Sequence, residues 1–157
     1  MEPFLQYMKY IIIHKYRVWV MCFRMWLYWQ WLVHDLSKLL PDEFIPYMNH
    51  FYIKSNNDMM EQWWIRHIHR NKHHWNYWVI PWENKALPMP EKYIKEMLCD
   101  WRGMGRQWNT DKQSLSYFNV YERWEVSKWY QANKNNMVLH EHTREYIENH
   151  LDKIWLH

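Results

Sequence analysis

The chain has 157 residues, 20 of them basic and 17 acidic, and aromatic side chains make up 20% of it, with 14 tryptophans. That length suits one domain, so much aromatic surface excludes intrinsic disorder, and a net charge of only +3 argues against a nucleic-acid partner. Gly103 and Gly105 are the only glycines, and with no Gly-Lys-Ser/Thr string they exclude P-loop and dinucleotide-binding loops.

The pattern along the chain is helical, and Ile11-Ile12-Ile13 is the only β-branched run. A first helical region spans about residues 4 to 31, with a bend expected near His14. A short segment, His34-Asp35-Leu36-Ser37-Lys38, follows. Pro41-Asp42-Glu43 then opens a helix that reaches about Tyr52, because proline and acids suit a first turn. Residues 54–57 form a polar break, and Asp58 with Glu61 reads as a capping pair for the next helix. Residues 80–90 hold three prolines and read as a loop. Pro90 opens a helix through Asp100 that is expected to stop near Gly103 and Gly105. After a polar stretch at 109–116, two helices at about 117–133 and 141–155 close the chain. The expected fold is all-α, a single bundle of about six to seven helices over residues 1–157.

Cys22 and Cys99 have no partner spacing, so neither a disulfide framework nor a thiolate zinc site is expected, as befits a reducing compartment. The most apolar stretch, residues 18–33, contains Arg24 and Gln30 and is short for a membrane span. Nor does the N-terminus have the basic region and small-residue cleavage site of a signal peptide. A cytoplasmic protein with no membrane partner is expected, its aromatic surplus pointing to a homodimer interface.

Four of the 11 histidines fall between residues 67 and 74. On one continuous helix His67 and His74 would lie within about 20° of each other, facing inward, and His69 and His73 would face solvent. If Asn71 ends that helix, His73 regains the interior. A core histidine is ordinarily bonded to a carbonyl, but two inward ones beside an independent His34-Asp35 pair also fit a metal cluster. Neutral imidazole with carboxylate suits first-row divalent ions such as iron, manganese or zinc. Asp100, between Cys99 and Trp101, is a candidate buried carboxylate ligand.

The ordered set His14, His34-Asp35, Asp100 resembles the H…HD…D signature of the HD-domain superfamily of metal-dependent phosphohydrolases, and His-Asp-Leu-Ser-Lys is similar to its HDxxK version. Through His14-Lys15, Pro41-x-Glu43-Phe44, Asn71-x-His73-His74-Trp75, Glu96-Met97 and Asp100-Trp101, the chain also resembles a small uncharacterised family of bacteria and phages, over about residues 10 to 150. The superfamily resemblance implies one or two divalent ions. His14, His34, Asp35 and Asp100 would hold the first, with Asp35 catalytic and able to bridge to a second held by His67, His74 and His73. The crowding of these histidines departs from multi-metal HD proteins, which spread them over two helices. In this reading Lys38 binds a substrate phosphate, Arg66 and Arg70 could grip another, and Trp75 could stack on a base.

Three functions follow as expectations. The first is a phosphohydrolase or phosphodiesterase acting on a nucleotide or nucleotide-derived signal, in the host cytoplasm if the chain is phage-encoded. The others are a mixed-valence di-iron oxygenase and a non-catalytic module that binds a nucleotide or a structural metal.

Overall fold

The computed structural model describes residues 2–53, 59–108, 122–151 and 153. Its seven helices are α1 (Pro3–Arg24), α2 (Tyr28–Val33), α3 (Pro41–Met48), α4 (Met59–Arg70), α5 (Glu91–Trp108), α6 (Glu122–Asn133) and α7 (Glu141–His150). The fold is all-α apart from one two-stranded hairpin. In it β1 (Val79–Ile80) pairs antiparallel with β2 (Lys85–Ala86), Val79 opposite Ala86, inside the stretch read as loop. Asp58 and residues 109–121 and 154–157 lie outside the described residues, and with them the expected cap and the outer ends of the last two helices.

Pro3 starts α1 in the first turn, where its missing N–H is no loss. Tyr7, Ile11, His14, Val18, Met21 and Cys22 recur at three- and four-residue spacing and form the buried stripe. This stripe faces α5, the helix with which α1 shares its largest interface.

α1 runs unbroken through His14 and ends at Arg24, short of the expected residue 31. Trp26 adopts a left-handed backbone with φ 59°. The Leu27 amide returns to the Cys22 carbonyl at 2.9 Å and the Trp26 amide to the Phe23 carbonyl at 3.3 Å. These two bonds make a Schellman stop, with Leu27 and Cys22 buried in one cluster. Glycine ordinarily occupies the left-handed position, and a bulky residue there costs about 1–2 kcal/mol. Trp26→Gly is therefore expected to stabilise the fold by about 1 kcal/mol, a rise of a few degrees in Tm; thermal unfolding followed by circular dichroism checks this.

Gly103 does not stop α5, which continues to Trp108. The glycine serves the packing of α5 on α1: a Cβ at this position would lie 2.9 Å from Cγ2 of Val18. Valine is stiff at χ1 and cannot swing away. Gly103→Ala is thus expected to destabilise by about 1–3 kcal/mol through overpacking, read as a lower urea midpoint.

Three apolar clusters surround the middle of the molecule. Tyr7, Ile11, Tyr47 and Trp63 join α1, α3 and α4. Val18, Met21, Cys22, Leu27 and Cys99 join α1 to α5. Met89, Ile94, Met97, Leu98, Val126, Tyr130, Met137, Ile147 and Leu151 join α5 to α6 and α7. Among the described residues no helix is long and apolar enough to cross a membrane.

Candidate metal centre

Between these clusters lies a knot of buried polar side chains drawn from four places in the chain. α1 supplies His14. The turn after α2 supplies His34, Asp35 and Lys38, α4 and its following turn supply His67, His73 and His74, and α5 supplies Asp100. Lys15 holds the second of these in place, its ammonium lying 3.1, 3.0 and 3.1 Å from the carbonyl oxygens of Trp31, Leu32 and His34. The chain then turns sharply at Asp35, which is left-handed with φ 55°, a conformation aspartate tolerates better than most residues.

The single-helix reading of residues 64–75 is corrected here. α4 ends at Arg70, and the Asn71 side-chain amide donates to the His67 carbonyl at 2.9 Å. The turn that follows brings His73 to 2% exposure, whereas His69 stays exposed. His74 is half-buried and its ring stands 4.2 Å from that of His73 and 4.8 Å from that of His67. So all three expected second-site histidines converge, and the open alternative at Asn71 is the one realised.

Two donor sets result. His14, His34, Asp35 and Asp100 form one, and Asp35, His67, His73 and His74 the other; within each, the donor atoms all lie within 4.8 Å of one another. In the first set His14 Nε2 is 3.2 Å from Asp35 Oδ2 and 3.2 Å from Asp100 Oδ1, and 3.3 Å from His34 Nε2. In the second, Asp35 Oδ1 is 3.4 Å from Nε2 of both His67 and His73. The two oxygens of Asp35 therefore serve different sets.

Orientation of the imidazoles comes from two glutamates that the sequence reading gave no role. Glu96, one helical turn before Asp100 on α5, places Oε1 3.1 Å from His34 Nδ1 and 3.2 Å from His73 Nδ1. Glu43, in the first turn of α3, places Oε2 3.0 Å from His67 Nδ1. An ionised carboxylate only accepts, so each Nδ1 carries a proton and, wherever the ring is neutral, Nε2 presents a lone pair. His34, His73 and Glu96 could themselves group around an ion, but a neutral imidazole has one free lone pair. Here it points to the Asp35 side, and Glu96 is the orienting partner.

This assignment tests whether a cation fits. Asp35 Oδ1, Asp100 Oδ1, His73 Nε2 and His74 Nε2 are buried without a hydrogen-bond partner. Asp35 Oδ1 and His73 Nε2 stand 3.4 Å apart with neither paired, an arrangement that buried groups avoid unless a cation sits between them. Nitrogen and oxygen donors in these numbers fit a first-row divalent ion. The cluster can hold a metal ion.

The charge balance agrees. Asp35, Asp100, Glu43 and Glu96 are four buried carboxylates; Lys38 meets Asp35 Oδ2 at 2.6 Å and Arg70 meets Glu43 Oε1 at 2.8 Å. Burial opposes ionisation of Asp35, but His34, Lys38 and His67 outweigh it and hold the carboxyl well below its usual range. Burial likewise opposes ionisation of Asp100, and His14 and His34 prevail. Burial opposes charging of His34 too, yet Asp35, Asp100 and Glu96 pull its pKa up to about 10. In the metal-free chain a proton on His34 thus supplies positive charge that an ion would displace. Burial instead pushes His67 down and His74 well down, leaving both neutral and available as ligands.

The family comparison covers this whole arrangement, matching residues 4–153. The chain belongs to DUF5662, a family of unknown function. No curated protein and no solved structure matches it.

The other expected site residues of this DUF5662 chain are placed less uniformly. Lys38 is buried against Asp35, with its ammonium 5.7 Å from the centre of the Tyr10 ring. Arg70 spans Asp42 and Glu43, with Nη2 at 2.6 Å from Asp42 Oδ2, so its fork is filled by protein carboxylates. Arg66 is exposed, Nη1 lying 3.4 Å from the Asp42 carbonyl. That carbonyl stands four residues before Pro46, which has no N–H to offer it. Trp75 is half-buried against the α5–α7 cluster.

Proposed function

We propose that the chain is a metal-dependent phosphohydrolase or phosphodiesterase acting on nucleotide-derived phosphate esters, as its resemblance to the HD-domain superfamily implies. The observation that carries this reading is the division of Asp35: Oδ2 faces His14 and His34, and Oδ1 faces His67 and His73. A carboxylate shared between two nitrogen-rich sets suits a pair of divalent ions. Such a pair supplies Lewis acidity at phosphorus and a water of lowered pKa.

The chain's own residues do the rest. His34, His67 and His73 are held by Glu96 and Glu43 through Nδ1, with Nε2 directed at Asp35. Asn71 donates to Ser37 Oγ at 2.7 Å, Ser37 donates to Glu43 Oε2 at 2.8 Å, and Arg70 takes the other Glu43 oxygen. This network locks the glutamate that locks His67. Lys38 has its ammonium 2.6 Å from the shared carboxylate, and with a metal held there it would bind a phosphate oxygen as a compact point charge.

Elemental analysis of protein purified without added metal, followed by turnover of bis(p-nitrophenyl) phosphate and a nucleotide panel with manganese, tests the reading. One to two equivalents of metal with ester cleavage are expected. Absence of metal after manganese, iron and zinc are offered overturns it. Retained iron with dioxygen uptake and no cleavage overturns it in favour of an oxygenase. Lys38→Ala is expected to leave metal content unchanged and to lower kcat/KM about 10²-fold, the loss of one charged contact at the transferring phosphate; titration of metal alongside steady-state kinetics separates the two effects.

A further inference from the structure

The outward face of α1 is apolar and exposed, and α2 exposes Tyr28, Trp29, Leu32 and Val33 while Trp31 packs on the α1–α5 cluster. Opposite the buried stripe of α1, Leu5, Ile12, Tyr16 and Phe23 are exposed, and their spacings of seven, four and seven keep them on one line along the helix. α2 reads Tyr-Trp-Gln-Trp-Leu-Val and buries none of its residues. The rings form a ladder across both helices: Tyr16 to Trp19 at 5.7 Å, Trp19 to Phe23 at 5.9 Å, Phe23 to Tyr28 at 5.2 Å and Tyr28 to Trp26 at 6.1 Å. At its tip Trp26 is 79% exposed and Trp29 67%. A helix apolar on both sides is ordinarily covered on both. Moreover, Trp26 occupies a glycine position at a cost to the fold, and local rules of this kind are broken mainly at functional places.

The distribution of charge says what covers the face. Residues 1–34 contain Lys9, Lys15, Arg17 and Arg24 with Glu2 as their only acid, and the rest of the chain holds sixteen residues of each sign. All of the net +3 therefore lies within residues 1–34, where Lys15 is engaged with the carbonyls of Trp31, Leu32 and His34, and Lys9 and Arg24 are the exposed cations. A second copy packed on this face would set Lys9 and Arg24 against their own kind. An anionic surface would neutralise them, and exposed Trp, Tyr and Phe beside basic residues is the composition that seats at the lipid headgroup level.

We infer that the outward face of α1 and α2 docks the protein on an anionic lipid bilayer. α1 lies in the plane of the surface, Phe23, Trp26 and Trp29 enter the headgroup region, and the exposed Lys9 and Arg24 meet lipid phosphates. The sequence reading excluded a membrane partner for want of a crossing segment; a surface helix needs none. His14 lies on the opposite side of α1, so the metal ligands stay clear of the membrane.

Co-sedimentation with vesicles of phosphatidylcholine, with and without about one-third phosphatidylglycerol, tests the docking. Binding is expected to the anionic vesicles, weakened by added salt, and much less to the neutral ones. The double variant Trp26→Gly, Trp29→Ser is expected to lose at least about tenfold in partitioning while keeping its helix content and metal stoichiometry. Since glycine suits the Trp26 backbone, such a loss is not a folding defect. Lys9→Gln with Arg24→Gln is expected to abolish the preference for phosphatidylglycerol. The inference is overturned if wild-type protein binds neither vesicle, binds both alike, or binds regardless of the tryptophan substitutions. It is equally overturned if light scattering finds a dimer that those substitutions convert to monomer, for then a second copy covers the face.

Discussion

Asp35→Asn is expected to empty both donor sets and to remove hydrolysis by about 10³-fold or more, the scale on which a two-ion centre contributes. Asparagine keeps the size and tolerates the left-handed backbone that Asp35 adopts, which alanine does not. The change is thus one of charge and donor type: an amide nitrogen replaces one of the two oxygens that divide between the sets. It also strands Lys38, a buried cation whose ammonium lies 2.6 Å from the lost charge. Breaking a buried pair from one side costs about 3–5 kcal/mol, so apo protein is expected to unfold at lower denaturant as well. Metal analysis and urea titration of the same preparation measure both losses. Full metal content in the variant would remove Asp35 from the centre.

Glu96→Ala is expected to weaken metal binding about 10–100-fold, the usual scale for losing an orienting partner behind a histidine ligand. The effect should reach both donor sets, because one oxygen of Glu96 takes the Nδ1 protons of His34, which belongs to the first, and His73, which belongs to the second. Glu96→Gln keeps an acceptor oxygen and is expected to recover most of the affinity. Competition against a chelator of known strength gives the numbers. A Glu96→Ala protein that binds metal as tightly as the parent would show that the imidazoles are oriented by something else.

Much of this was legible beforehand, and the reasons differ by element. α3 announces itself by a proline in the first turn, and α1 by its periodic apolar pattern. The break after α1 was not readable, because the residue that takes the left-handed turn is a tryptophan where a glycine would have signalled it. Gly103 misled in the opposite sense: its lack of a side chain serves a helix crossing rather than a helix end. The clustering of potential donors could be read in outline, since His34-Asp35 and the histidine cluster are unusual compositions. Glu43 and Glu96 could not, for an acid on an amphipathic helix resembles any solvated acid until the fold buries it. Only the four-residue spacing from Glu96 to Asp100 hinted that the two share a face. The burial of His73 depended on where α4 stopped, and Asn71 settled that through its own side chain.

Among the described residues every donor of the two sets lies between His14 and Asp100, and none lies on α6 or α7. An ion held there closes a chain loop of 86 residues, counted from those two positions, and removes conformations from the unfolded ensemble much as a covalent tie would. The apolar cluster that joins α5 to α6 and α7 is stabilised by burial alone and is indifferent to metal supply. With an ion in place the molecule would draw its cohesion from two sources, one intrinsic and one on loan from its surroundings, and α5 is the element where they would meet.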